Sequence, residues 1–120
     1  MAWEREASMQ NLKLRDHKGC QCHVIIRDDG VINFISYNTL VIVATPHSVA
    51  NLADDRDIKV KSNETLDDTC YFLECSGTYS RTTARQISYF LREYFPTIEY
   101  CDMKAAARED MYFVAHRKDV

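Results

Sequence analysis

Four residues near the start of the chain, His17, Cys20, Cys22 and His23, carry the donor types that hold zinc, and Cys70 and Cys75 add thiols further on. Zinc takes four nitrogen, sulfur or carboxylate donors in a tetrahedron, and short C-x₂₋₄-C knuckles deliver that geometry. Cys20 and Cys22 are spaced C-x-C instead. On a strand this spacing turns both thiols to one face, which suits a core as well as a ligand pair. Cys70 and Cys75 fall on opposite faces of one regular strand. Free cysteine is among the most buried residue types. The thiols therefore read as small core side chains, and no metal or cofactor is assigned.

Catalytic constellations are equally sparse. There is no G-x-S-x-G elbow for a serine nucleophile. The histidines His17, His23, His47 and His116 are scattered over predicted loops and strand ends. Carboxylates occur in pairs at Asp28-Asp29, Asp54-Asp55 and Asp67-Asp68. All three pairs sit in predicted turns, where aspartate is favoured for backbone reasons, and none has the apolar setting that makes a general acid. The chain has 3 glycines, spread too far apart for a phosphate-cradling loop. No catalytic residue is assigned, and the chain reads as non-enzymatic.

A basic stripe is more informative. Arg81, Arg85, Tyr89 and Arg92 recur at helical spacing, about 16 Å from end to end at the helical rise of 1.5 Å per residue. Such a stripe can grip phosphates or an acidic protein surface. A solvated helix face supported by neighbours such as Glu93 is the plainer reading. Arginine and tyrosine are enriched in binding hot spots, which keeps the stripe as a candidate partner-binding surface. The acidic loops around Asp54-Asp55 and Asp67-Asp68 form another candidate, able to mimic phosphates toward a basic channel, and the negative net charge favours these loops.

These residues need elements to position them. Ile87, Phe90, Leu91 and Tyr94 fall at i, i+3, i+4 and i+7, the apolar side of the helix that carries the arginines. Thr83 with Gln86 fits a capping box, Ser80 is a rival cap one turn earlier, and Pro96 stops the helix. Upstream, Cys20 to Ile26 alternates with period two. Asp28-Asp29-Gly30 then marks a hairpin turn, and Val31 to Ile35 returns. Thr39 to Ala44 is a nearly continuous β-branched run, as in a strand covered on both faces. Ile58 to Lys61 suggests a short charged edge strand, and Cys70 to Cys75 another strand. Residues 102–110 read as a short helix capped by Asp102, and Met111 to Ala115 as a last strand or extended tail. The expected fold is α+β: an antiparallel sheet of about four to five strands with one main helix, about residues 80–95, packed on one face. Residues 1–17 read as an N-terminal arm or short helix, and 18–120 as a single domain.

Composition bounds the function. The chain has 120 residues and a net charge of −3, from 15 basic and 18 acidic residues. A dedicated nucleic-acid binder usually carries a basic excess, so nucleic acid is the less favoured partner. No apolar run is long enough to span a bilayer. The 5 cysteines are odd in number and follow a charged N-terminal stretch without an apolar signal core. That argues for reduced thiols in the cytoplasm.

The stretch from Gly77 to Leu91, Gly-Thr-Tyr-Ser-Arg-Thr-Thr-Ala-Arg-Gln-Ile-Ser-Tyr-Phe-Leu, resembles the pattern G-x-Y-S-x-T-T-x-x-x-I-x-x-F-L of small uncharacterised proteins from bacterial phages and mobile elements. Ser36-Tyr37-Asn38-Thr39-Leu40-Val41 is similar to the S-Y-x-T-x-V segment upstream in that family, and Phe95-Pro96-Thr97 to its F-P-T continuation. The resemblance spans roughly residues 20–105. Gln86 stands where the family often has histidine, and the acidic insert around residues 50–68 is longer than usual. The family is tied to no chemistry. Its origin implies an accessory protein, at work in the host cytoplasm, that binds a host or defence protein and inhibits it in the manner of an anti-CRISPR. Every signature position is also explained by building and docking one helix.

The sequence therefore supports a non-enzymatic protein-interaction module. The alternative is a small nucleic-acid-binding protein using the arginine-lined helix. A homodimer through an exposed sheet face is a further expectation.

Overall fold

The computed structural model describes residues 10–13, 22–37, 39–50, 59–65, 67–75 and 80–118. Asp54 and Asp55 lie outside them, as do His17 and Cys20. The fold is α+β, built on an open mixed sheet.

Alternation from Cys22 produces strand β2 (Cys22–Ile26), and β3 (Ile32–Ser36) returns beside it with Cys22 opposite Ser36 and Ile26 opposite Ile32. Gly30 has φ +91° in the connection, a conformation that side chains resist. A Cβ there would also stand 3.1 Å from Cγ of Pro46. The Asp29 carboxylate accepts from the Val31 N–H at 3.1 Å and pairs with Arg27 at 3.0 Å, so the turn chemistry is that of Asp-Gly.

Strand β4 (Thr39–Pro46) follows after Tyr37, whose φ of +48° completes the tight reversal. The register slips between Phe34 and Ile35, which leaves Val41 as the extra residue of a β-bulge. A single helical turn, α1 (His47–Ala50), follows Pro46. Strand β6 (Cys70–Cys75) pairs antiparallel with β4 on one side and with β7 (Tyr112–His116) on the other.

Of the two edge strands, the first lies outside the expected set and the second is the charged edge strand read at Ile58 to Lys61. Strand β1 (Gln10–Lys13) pairs with β2, so part of the expected arm or short helix is a strand. Strand β5 (Val60–Lys61) pairs parallel with β7, and this one pair makes the sheet mixed rather than purely antiparallel. The order is β1-β2-β3-β4-β6-β7-β5.

The main helix α2 (Arg81–Tyr94) forms where the stripe places it. Ser80, not Thr83, is its N-cap: the Thr83 N–H donates to Ser80 Oγ at 3.2 Å. A second helix, α3 (Tyr100–Arg108), begins two residues before the expected Asp102. Glu99 is its cap, and Asp102 is the third helical residue, whose carboxylate accepts from the Glu99 N–H at 2.9 Å. Both helices bury their apolar sides against one face of the sheet. Ile87, Phe90, Leu91, Met103 and Ala106 join Val24, Ile32, Phe34, Ile42, Leu73 and Phe113 in one core. The Phe34 and Phe90 rings stack at 4.8 Å. Alternation turns His23, Ile25, Ile35, Val43, Cys70, Phe72, Val114 and His116 to the other face. Among the described residues no helix is long and apolar enough to cross a membrane.

Candidate functional site

Burial of Ile87, Phe90 and Leu91 fixes which side of α2 meets solvent. Arg81, Arg85 and Arg92 are exposed and Tyr89 is half-buried, so the four side chains of the stripe share the outer side. The Arg92 guanidinium lies 5.4 Å from the centre of the Tyr89 ring, a cation–π contact that orients both. Arg92 also lines an open groove between α2 and α3 of about 420 Å³, with Ser88 on its own helix and Tyr100 and Cys101 opposite.

The acidic candidates fare differently. Asp67 and Asp68 are exposed in the loop before β6. Asp67 Oδ1 accepts from the Thr69 N–H at 2.8 Å and the Thr69 hydroxyl at 2.5 Å, and lies 3.0 Å from His116 Nε2. Those bonds to Thr69, with His116 behind them, draw its carboxyl pKa down to about 2. Asp67 is thus an exposed carboxylate held in a local cluster.

That cluster is what sequence reading missed. Register places Cys70 directly across from His116 on the face away from the helices. Cys70 Sγ lies 3.5 Å from His116 Nε2 and accepts from the Asp67 N–H at 3.2 Å. Strand β5 ends at Lys61, and the chain then continues as a loop. The side chain of Glu64 in that loop meets His116: its Oε1 accepts from the His116 backbone N–H and lies 3.2 Å from His116 Nδ1. Ser62 and Asn63 hold the loop. The Ser62 hydroxyl donates to the Glu64 carbonyl, and Asn63 Nδ2 donates to the Thr97 carbonyl and the Asp102 carboxylate. Among the described residues, Asp67, Cys70 and His116 are where three such donors converge, all within 4.8 Å of one another.

The electrostatics favour an imidazolium and suppress a thiolate. The hydrogen bond to Asp67 raises His116 above the usual imidazole range, reinforced by the charges of Asp67 and Glu64. Burial pushes the Cys70 thiol up, and the charges of Asp67, Glu64 and Asp68 push it the same way. Cys70 is 1% exposed. A nucleophilic cysteine needs a depressed pKa and access, and Cys70 has neither. Signals for the cluster were present as Asp67-x-x-Cys70 and a histidine at a strand end. Pairing them with residue 116 required the β6–β7 register.

The helix signature has a structural content of its own. Ser80 Oγ, Thr83 Oγ1, Ser36 Oγ and Gln86 Oε1 form one chain of hydrogen bonds. It joins the start of α2 to the end of β3, so the Ser36 block and the Thr83 block of the resemblance meet in space. Gln86 is fully buried.

The chain was compared with models of known families, with curated proteins and with solved structures. It matches none of them.

Proposed function

We propose that this chain is a non-enzymatic protein-interaction module of phage or mobile-element origin, which covers a surface of a host or defence protein. The observation that carries the reading is the division of α2. One side is locked into the core, and the other presents Arg81, Arg85, Arg92 and Tyr89 on a rigid base, with Arg92 and Tyr89 already in contact. A pre-ordered arginine–tyrosine pair loses little side-chain entropy on docking. Its complement is a protein surface bearing carboxylates. The net charge of −3 weighs against nucleic acid as the complement. The phage or mobile-element origin rests on the three sequence blocks and their order.

A tagged pull-down from a bacterial lysate, with and without nuclease, tests the reading. The expected result is a stoichiometric protein that survives nuclease and is lost with Arg92→Ala or Tyr89→Ala. Each substitution should weaken binding about 30-fold, the factor of a hot-spot residue worth about 2 kcal/mol. Recovery that disappears with nuclease would transfer the helix face to nucleic acid. Capture unaffected by either substitution would remove α2 from the interface.

A further inference from the structure

We propose that Asp67, Cys70 and His116 form a binding site for a zinc-class divalent cation, with Glu64 as the outer carboxylate that orients His116. The donor set selects the ion. Thiolate and imidazole suit zinc and its neighbours, whereas magnesium and calcium take oxygen donors.

Distances support the assignment. Tetrahedral zinc has bonds of about 2.0 Å to nitrogen and oxygen and about 2.3 Å to sulfur, which spaces its donors about 3.3–3.6 Å apart. The Cys70–His116 separation of 3.5 Å falls in that range. Asp67 at 3.0 Å from Nε2 has to withdraw by a few tenths of an ångström. Its side chain is 62% exposed, on a loop, and can do so. The thiol–carboxylate span, at most 4.8 Å, closes by movement of the exposed Asp67 side chain toward the ion.

The surroundings are those of a metal ligand set. His116 presents Nε2 to Asp67 and Cys70 and Nδ1 to Glu64. A carboxylate behind the imidazole fixes the tautomer and raises ligand basicity, as at many zinc sites. The Asp67 N–H aimed at Cys70 Sγ supplies a donor to a metal-bound thiolate. Cys70 and His116 sit on two paired strands, so two of three ligands are rigidly held. On binding, the thiol proton and the imidazolium proton leave to solvent, and the ion replaces them. Asp67 faces water, so the fourth position is left to a water molecule or an outside donor. This site is on β6, β7, Glu64 and Asp67, and it stands or falls independently of the α2 interface.

Cobalt(II) titration of the full reduced chain, after chelator treatment, tests the site. Saturation is expected at one equivalent, with the thiolate-to-cobalt charge-transfer band and the strong visible bands of four-coordinate cobalt. Zinc should displace both. Glu64→Gln should weaken binding about 10–100-fold while keeping the band. Asp67→Asn should weaken it at least about tenfold, and because Asp67 is exposed this variant reports on the site without endangering the fold. Cys70→Ser should abolish the charge-transfer band, with circular dichroism confirming a folded chain. Absence of a saturable band in the wild type would overturn the proposal. So would a band indifferent to Asp67→Asn and Glu64→Gln, which would place the ion on other cysteines.

Discussion

Ser36 and Gln86 hydrogen-bond to each other where neither side chain reaches water. Removing one partner leaves the other's polar atom buried and unmatched, which costs about 1–3 kcal/mol. Ser36→Ala should therefore lower the unfolding free energy by that amount in urea titrations. The double change Ser36→Ala with Gln86→Leu should cost less than the two single changes added together, because it removes both ends of the bond. Strict additivity would mean that the pair is not coupled. Gly30 makes a backbone test at the same scale. Its φ of +91° and the nearby Pro46 ring leave no easy place for a side chain. Gly30→Ala is expected to destabilise by about 1–2 kcal/mol, the order of the left-handed penalty, read from the same titration.

Elements were legible in proportion to how strongly their residues are patterned. Strands β2 and β3 and helix α2 announce themselves because one apolar side repeats at the right period and turn or cap residues stand at both ends. Strand β1, Gln-Asn-Leu-Lys, has a single apolar residue and owes its conformation to pairing with β2. The start of α3 was misplaced because Asp102 reads equally well as a cap or as the third residue of a capping box, and only Glu99 in space decides between them. Strand β5 was visible as an edge, but its parallel partner was not, since that pairing joins residues about fifty positions apart. Lys61 fastens β5 to the end of α3 through Glu109. The hydrogen bond from Lys61 lowers the Glu109 pKa below its ordinary 4.5. The sign follows: the folded value lies below the unfolded one, so this stabilisation is present above pH 4.5 and lost as pH falls through the depressed value. Both groups are well exposed, so the contribution is small. Melting temperatures of wild type and Lys61→Ala should differ slightly at pH 7 and converge in acid. A gap independent of pH would assign the loss to packing of the Lys61 stem instead.

At the scale of the molecule, the described residues present two candidate surfaces that answer to different physics. The α2 face was legible because its four residues lie on one helix. The Asp67–Cys70–His116 cluster was not, because it is assembled by register between Cys70 and His116, 46 positions apart in the chain. The first surface lies over the helical layer, and the second lies on the sheet face turned away from it. They share no residue, so changes at one should leave the other alone. Zinc bound to the folded chain but not to the unfolded one adds stability by mass action, about 2.7 kcal/mol at a free concentration one hundred times the dissociation constant. For a chain of this size that is a rise in melting temperature on the order of 10 °C. Chelator should reverse the rise completely. Arg92→Ala should keep the full zinc-dependent rise while losing the captured partner, and Asp67→Asn should do the opposite. If Asp67→Asn also abolishes capture, the cation site and the helix face are linked through the fold. The route for such a link is visible: Thr97, in the turn between α2 and α3, meets Glu64 behind His116.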